Sequence, residues 1–224
     1  MVKYITVILY TILLISVSEF YLIKRNNSAG SINFKKYIKD NIKYIVATVI
    51  VVVVILTMEI RYLSNNGIEQ LELILRWSTI IWGVYLAACV DYKELKIPNL
   101  IILVLLGLRC IFLIYELLVN FEFAKLVVVP PLLGAVIGGV VMLVAMLVSR
   151  KGIGMGDVKL FIVIGAFVGS TEIFATMFYT MIVAAGFCIV LLITKKAKLK
   201  DSIPMAPFSF LGLAIEYGLL LYGG

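Results

Sequence analysis

Residues 126–148 read LVVVPPLLGAVIGGVVMLVAMLV and contain no charged side chain. An α-helix of about 20 apolar residues crosses a hydrocarbon core about 30 Å thick, so this stretch is long enough to span a bilayer. Runs of similar length and character recur on both sides of it. The stretch therefore predicts a membrane-spanning helix, and its repetition predicts a bundle of such helices.

The composition of the whole chain is that of an integral membrane protein. Of the 224 residues, 63% are hydrophobic and 15% are charged, whereas a soluble domain is about half apolar and about a quarter charged. No connection is long enough to bury a core of its own. We therefore predict an all-α, polytopic membrane helix bundle that forms a single domain over 1–224. It has about eight transmembrane segments, at roughly 4–23, 42–62, 72–90, 98–119, 126–148, 157–169, 172–194 and 203–222.

Two of these segments need separate interpretation. The first has an apolar stretch too long for a signal peptide and is closed by Lys24-Arg25, so we expect a retained helix. The sixth, 157–169, is short for a spanning helix. We expect it to be tilted, buried or half-crossing, which is tolerated where protein rather than lipid surrounds it.

Lysine and arginine collect in alternate connections between the segments. Acids such as Glu122 and Glu172 stand in the intervening connections. Cytoplasmic loops carry an excess of Lys and Arg, so we predict that 24–41 is a short basic cytoplasmic loop and that both termini lie outside. The net charge of +7 then reflects topology, and we expect contact with the lipid bilayer and no nucleic-acid binding. Fifteen of the 20 basic residues fall on the predicted cytoplasmic side: Lys24, Arg25, Lys35, Lys36, Lys39, Lys43, Lys93, Lys96, Arg150, Lys151, Lys159, Lys195, Lys196, Lys198 and Lys200.

Several kinds of catalytic site are excluded by what the chain lacks. It contains no histidine, which rules out a Ser-His-Asp or Cys-His group and a His-ligated metal site. Cys89, Cys110 and Cys188 lie far apart within apolar segments and form no CxxC pair, so we expect no bound metal. No serine stands in a GxSxG-like context that would expose it as a nucleophile. Carboxylates remain as the candidate catalytic groups.

Asp91 and Asp157 differ from the other acids by their surroundings. Asp91 ends the third segment and precedes Pro98, a residue suited to the first turn of the next helix. Asp157 follows three alternating glycines in 152–156, which permit unusual backbone dihedrals and the close approach of another chain. Two crossings separate the aspartates, so both lie on the predicted cytoplasmic side. Arg109 and Glu216 lie deepest in their segments, and we interpret them as structural polar contacts.

These residues resemble the signature regions of the type IV prepilin peptidases, a family of GxGD membrane aspartyl proteases. The first region is Asp91 with Ile97-Pro98-Asn99, and the second is Gly154-Met155-Gly156-Asp157-Val158-Lys159-Leu160. Near the end of the chain, Ile203-Pro204-Met205-Ala206-Pro207-Phe208 is similar to the stretch that opens the family's last helix. The resemblance covers roughly 72–222, with the expected order and spacing.

The resemblance implies a membrane aspartyl endopeptidase of the cell (inner or plasma) membrane with its active site facing the cytoplasm. Its substrates would be type IV prepilin or pseudopilin precursors, from which it would remove a short basic leader. Asp91 and Asp157 would form the catalytic dyad and activate a water, without any metal or organic cofactor. The other matched positions would support the motif, and the resemblance assigns no individual role to them: Pro98, Asn99, Gly154, Gly156, Lys159, Pro204 and Pro207.

The chain departs from the family pattern in two places. Many members carry two CxxC pairs after the first helix, associated with methylation of the new N-terminus, but the loop 24–41 contains no cysteine. We therefore do not expect N-methyltransferase activity, and S-adenosylmethionine would be a cofactor only if methylation were retained. Ala206 also stands where the family has glycine.

The helix macrodipole suggests how the dyad divides its roles. Asp157 lies near a helix N-terminus, which favours a charged carboxylate, and Asp91 lies near a helix C-terminus, which disfavours one. We predict that Asp157 is the ionised base and Asp91 the protonated acid.

Two other classes of protein remain as alternatives. An intramembrane protease resembling presenilin or signal peptide peptidase would use the same chemistry, but those families have their aspartates on consecutive helices. A transporter or channel could use paired carboxylates for cations, but here the acids lie at the predicted cytoplasmic edge beside a glycine-rich loop.

Overall fold

The computed structural model describes residues 2–26, 34–66, 70–149, 153–194 and 203–223, and these residues form no strand. Parts of the basic loop 24–41, Glu69, Arg150, Lys151, Gly152 and the basic stretch 195–200 lie outside them. The predicted all-α fold is confirmed. The helices are α1 (Val2–Asn26), α2 (Phe34–Asn66), α3 (Leu71–Glu94), α4 (Asn99–Val119), α5 (Ala124–Val148), α6 (Met155–Val168), α7 (Glu172–Ile193) and α8 (Ala206–Gly223), with a 3-10 turn at Phe121–Phe123.

Each of the eight predicted segments corresponds to one helix. By length and composition, six helices among the described residues could cross a membrane: α1 to α5 and α7. The short sixth segment is confirmed as short, since α6 has 14 residues. The apolar part of α8, Ala206–Tyr222, is also shorter than those six. Crossing by all eight helices stays a prediction.

The chain divides into two compact units, Met1–Ser78 with Leu221–Gly224 and Thr79–Leu220. The prediction of a single domain stays a prediction. In the first unit α1 packs along α2, and the Lys3 ammonium donates a hydrogen bond to the carbonyl of Leu63 at 2.6 Å. The buried Ser78 hydroxyl donates to the Glu59 carboxyl group.

In the second unit the packing of α5 against α6 depends on glycine. A Cβ atom added at Gly165 would overlap the carbonyl oxygen of Gly134, and one added at Gly138 would overlap the carbonyl oxygen of Phe161. Small residues allow helix backbones to approach closely in membrane proteins, where packing rather than water exclusion drives association. This contact fixes α6 against its neighbour over much of its length.

A buried arginine holds the other end of α6. The side chain of Arg109, in α4, donates from Nε to the carbonyl of Ala166 at 2.7 Å and pairs with Glu116 at 2.7 Å. The last four carbonyls of a helix have no partner within it, so Arg109 supplies one from outside. Glu216 instead accepts a hydrogen bond from Thr176 at 2.8 Å. Both deep residues therefore make polar contacts between helices, but not with each other.

Candidate active site

Asp91 lies in the last turn of α3 and is 5% exposed. Its Oδ2 atom accepts a hydrogen bond from the backbone N–H of Ala206 at 3.1 Å. Ala206 is the first residue of α8, whose N-terminal N–H groups have no partner within the helix. The proline-containing stretch that matched the family pattern therefore supplies a backbone donor to Asp91. Pro204 and Pro207 flank that donor on either side in the sequence.

Asp157 occupies the third position of α6. Its Oδ2 atom accepts a hydrogen bond from the backbone N–H of Gly154 at 3.1 Å, and its own N–H donates back to the carbonyl of Gly154 at 3.1 Å. This reciprocal pairing begins the helix as in a capping box. Burial raises the pKa of the Asp157 carboxyl to about 6, although the Gly154 N–H opposes that rise; a negative charge on Asp91 would add to it.

A cavity of about 290 Å³ brings the two signature regions together. It is lined by both aspartates and by the segment that joins α3 to α4, together with the first turns of α4 and α6. The predicted site residues that line it are Asp91, Asn99, Gly154, Gly156, Asp157 and Lys159. Pro98, at the N-cap of α4, does not line the cavity, but its two neighbours in the chain, Ile97 and Asn99, do.

Lys159 links the two helices that begin at this cavity. Its ammonium group donates a hydrogen bond to Oδ1 of Asn99 at 3.0 Å. Asn99 is the first residue of α4, and Lys159 lies two residues after Asp157 in α6. The contact ties the start of α6 to the start of α4 beside the carboxyl groups.

The glycines act through close approach and not through unusual dihedrals. Gly154 has φ −86 and ψ 156, which is ordinary extended backbone, and among the described residues only Gly169 is a glycine with positive φ. A Cβ added at Gly156 would lie 3.3 Å from Cβ of Ile97. The expectation of unusual dihedrals at Gly154 and Gly156 was therefore wrong, whereas close approach of another segment holds for Gly156.

Sequence reasoning missed two features of this site. One is the Ala206 N–H group, because a backbone donor has no signature in side-chain identity. The other is Leu95, which lines the cavity with a positive φ of 52°. A glycine or asparagine there would have signalled a left-handed residue, but leucine does not.

No cluster of three or more His, Cys, Asp or Glu side chains that could hold a metal ion occurs in the described part of the chain. Two carboxyl groups around one cavity, each with a backbone donor, are suited to general acid–base chemistry on a bound substrate and water.

Comparison with known proteins supplies a family for this geometry. The model of the type IV leader peptidase family matches residues 78–189, which is half of the chain and includes both aspartates. Over 92 residues the chain is 32% identical to the prepilin leader peptidase/N-methyltransferase of Bacillus subtilis (strain 168). That alignment covers 41% of this chain and 36% of the relative, so it spans about a third of the relative's length. No solved structure matches the chain significantly.

Proposed function

The chain belongs to the type IV leader peptidase family, and we propose that it is a membrane aspartyl endopeptidase that removes the short basic leader from type IV pilin-like precursors. The observation that carries the proposal is the single cavity lined by both Asp91 and Asp157. Its size and its two carboxyl groups suit a peptide bond and one water better than a large ligand.

In the proposed reaction the two carboxyl groups act as a general base and a general acid. Asp157 takes a proton from the water as its oxygen attacks the scissile carbonyl carbon, and protonated Asp91 gives its proton to the carbonyl oxygen. The tetrahedral intermediate collapses when the C–N bond breaks: the leaving nitrogen receives the proton held by Asp157, and one hydroxyl of the intermediate returns its proton to Asp91. The products are a leader with a new carboxyl group and a mature protein with a new amino group.

The surroundings of Asp157 support its role as the base. It lies in the first turn of α6, where the helix dipole favours negative charge, and it accepts the Gly154 N–H bond. A pKa of about 6 leaves most of the group ionised at neutral pH while keeping it a useful proton acceptor. Asp91 lies at the C-terminal end of α3, whose dipole disfavours a negative charge, and it also accepts the N–H at the start of α8, whose dipole favours one. The dipole of α3 alone therefore does not determine the charge of Asp91.

Charge supports a cytoplasmic active site in the cell membrane. Lys96 and Lys159 line the cavity, and the exposed Lys93 lies just before the segment between α3 and α4. Basic residues collect on the cytoplasmic side of membrane proteins, so the cavity is proposed to open there. A basic leader anchored at that surface would reach it without crossing the bilayer.

The decisive experiment is cleavage of a precursor with a basic leader in membranes that contain wild-type protein, Asp91→Asn or Asp157→Asn. Both variants are expected to lose cleavage by a factor of at least about 10³, because each removes a proton donor or acceptor from the reaction. Glu122→Gln, which makes the same chemical change at an exposed acid between α4 and α5, is the matched control. Near-normal activity in either aspartate variant would overturn the dyad, provided that the variants keep the wild-type unfolding temperature.

Mass spectrometry of the same products tests the second part of the proposal, a peptidase without methyltransferase activity. An unmethylated new N-terminus is expected with S-adenosylmethionine present, since 24–41 contains no cysteine pair. A product heavier by one methyl group would contradict this. Ion flux through reconstituted protein that disappeared in Asp157→Asn, without any cleavage by the wild type, would favour a transporter instead.

A further inference from the structure

Leu95 has a backbone conformation that leucine rarely adopts. Its φ of 52° makes it the one residue other than glycine with positive φ in the described ranges. The left-handed region brings Cβ too close to the following carbonyl oxygen, so residues other than Gly, Asn and Asp seldom occupy it. Strained residues of this kind cluster at active sites and ligand clamps, and an observed outlier justifies a hypothesis of function.

The local role of this conformation is to end α3 immediately after the turn that contains Asp91. The N–H of Leu95 donates to the carbonyl of Asp91 at 2.8 Å, which is the bond of a left-handed C-cap. Glycine performs that role in most helices without steric conflict. Ending the helix therefore accounts for the dihedral angle but not for a leucine at this position.

The position of its side chain explains why residue 95 is a leucine. Leu95 is 52% exposed and lines the cavity that contains both aspartates. Met155, also 52% exposed, and the half-buried Ile97 supply apolar surface to the same cavity. The site is thus partly apolar although two carboxyl groups, an amide and two amines also line it.

Contact with lipid is the ordinary explanation for an exposed leucine in a membrane protein, but it fits Leu95 poorly. The residue follows the last residue of α3 and precedes α4, so it lies outside both candidate spans. Its neighbour Lys96 is exposed and lines the same cavity. A leucine in this polar segment gains little from the bilayer and is available to a ligand.

We propose that Leu95 is a specificity-determining residue, whose left-handed backbone directs its side chain into the cavity to contact an apolar side chain of the substrate next to the scissile bond. This inference rests on the proposed function and adds one part of its substrate specificity. The apolar contact would seat the peptide in the cavity while the carboxyl groups act on the neighbouring bond.

Three variants separate the effect of the backbone strain from the effect of the side-chain contact. Leu95→Gly removes both the strain and the side chain, Leu95→Asn fits the left-handed region but is polar, and Leu95→Ala keeps the strain and removes the contact. Leu100→Ala is the matched control, because Leu100 is similarly exposed at 55% but does not line the cavity. The readouts are the unfolding temperature in detergent and the kinetics of cleavage of precursors with Leu, Ala or Ser on each side of the scissile bond.

Leu95→Gly is expected to unfold at a higher temperature than the wild type. In all three Leu95 variants the preference in kcat/KM for a precursor with Leu over one with Ser, at one of the two positions, should fall about tenfold, within the range that loss of an apolar pocket contact produces. The loss should appear mainly in KM. Leu100→Ala should keep the wild-type preference.

Two results would overturn the inference and leave the proposed function standing. One is an active Leu95→Gly enzyme with the wild-type preference, which would make Leu95 a helix terminator only. The other is a Leu95→Gly protein no more stable than the wild type, which would show that the backbone is not strained. An inactive wild type would overturn the proposed function itself, and the substrate contact with it.

Discussion

At the scale of single residues, each aspartate is oriented by a backbone N–H that comes from a separate turn. Gly154 supplies the donor to Asp157, and Ala206, remote in sequence, supplies the donor to Asp91. Backbone donors are fixed by the helices that carry them, so they hold a carboxyl group without the entropy cost of ordering another side chain. The two donors therefore preorganise the proposed dyad.

Replacement of Ala206 by proline tests the donor to Asp91. Proline is well tolerated as the first residue of a helix, so Ala206→Pro removes the N–H while α8 can still begin there. A hydrogen bond to the neutral, protonated carboxyl group contributes about 0.5–1.5 kcal/mol, and kcat/KM for leader cleavage should fall about 2- to 10-fold. Ala206→Val is the matched control, since it adds similar bulk at this fully buried position but keeps the N–H. Equal losses in both variants would indicate overpacking and contradict the role of the donor.

The raised pKa of Asp157 predicts the acid limb of the pH profile. The pKa rises from 3.8 to about 6 mainly because the group is buried, so between about pH 4 and 6 the folded protein holds a proton that an exposed aspartate would have released. A protonated base is inactive, and kcat/KM should therefore rise about tenfold per pH unit below pH 6 and level off above it. A rise in kcat/KM that is centred near pH 4 would contradict the raised pKa of Asp157. A rate that falls as the pH rises through 6 would reverse the acid and base assignments.

Sequence could single out the two aspartates that line one cavity, but not the groups that hold them. Asp91 and Asp157 stood out because topology placed them on one side and their neighbours matched a family pattern. The Ala206 donor and the left-handed Leu95 could not be predicted, because neither depends on a side chain with a characteristic pattern. Gly154 was misread for a related reason: glycine permits positive φ, but it also stands where small size or a free N–H is needed.

At the scale of elements, the position of Asp157 depends on how α6 is held. Gly134 and Gly165 let α5 and α6 touch backbone to backbone, while Arg109 binds the carbonyl of Ala166 in the last turn of α6. Gly169, with φ +93, then ends the helix. A helix of 14 residues fixed along its side and at its end has little freedom to move the carboxyl group in its first turn.

Gly165→Ala tests this contact. The added Cβ would overlap the carbonyl oxygen of Gly134, which belongs to the backbone and cannot move aside without separating the helices. Overpacking costs about 1–3 kcal/mol, so the unfolding temperature in detergent should fall, and leader cleavage should fall with it as Asp157 shifts. Gly107→Ala and Gly186→Ala are matched controls, since nothing lies within 4 Å of a Cβ at either position. Equal stability of Gly165→Ala and the controls would contradict the proposed packing.

Sequence predicted the existence of these elements better than their partners. Apolar length located all eight helices and the short α6, because the hydrocarbon thickness sets a strong requirement. The length of α2 was underestimated: it was predicted over 42–62 and is observed over Phe34–Asn66. A helix can continue beyond its apolar residues. The partner of Arg109 could not be read from the sequence either. It is Glu116, two turns along the same helix.

At the scale of the whole molecule, the charges of the connections predict the orientation in the membrane. Among the described residues, Lys96, between α3 and α4, and Lys159, near the start of α6, lie at the cavity. Glu122 stands between α4 and α5, at the opposite end of α4. Much of the remaining positive charge lies outside the described residues. Orientation therefore rests on the sequence pattern and stays a prediction, including the external location of both termini.

Cysteine labelling tests that orientation. In a protein whose Cys89, Cys110 and Cys188 are replaced by alanine, a single cysteine is introduced as Lys96→Cys or as Glu122→Cys, both at exposed positions. A membrane-impermeant maleimide added to intact cells should label Glu122→Cys and should label Lys96→Cys only after permeabilisation, because the lysine-rich connection is predicted to be cytoplasmic. Cleavage of the precursor by each variant confirms that the labelled protein is folded. The reverse labelling pattern would put the cavity outside the cell, where a cytoplasmic leader could not reach the two carboxyl groups, and the proposed substrate would have to be abandoned even if the dyad were correct.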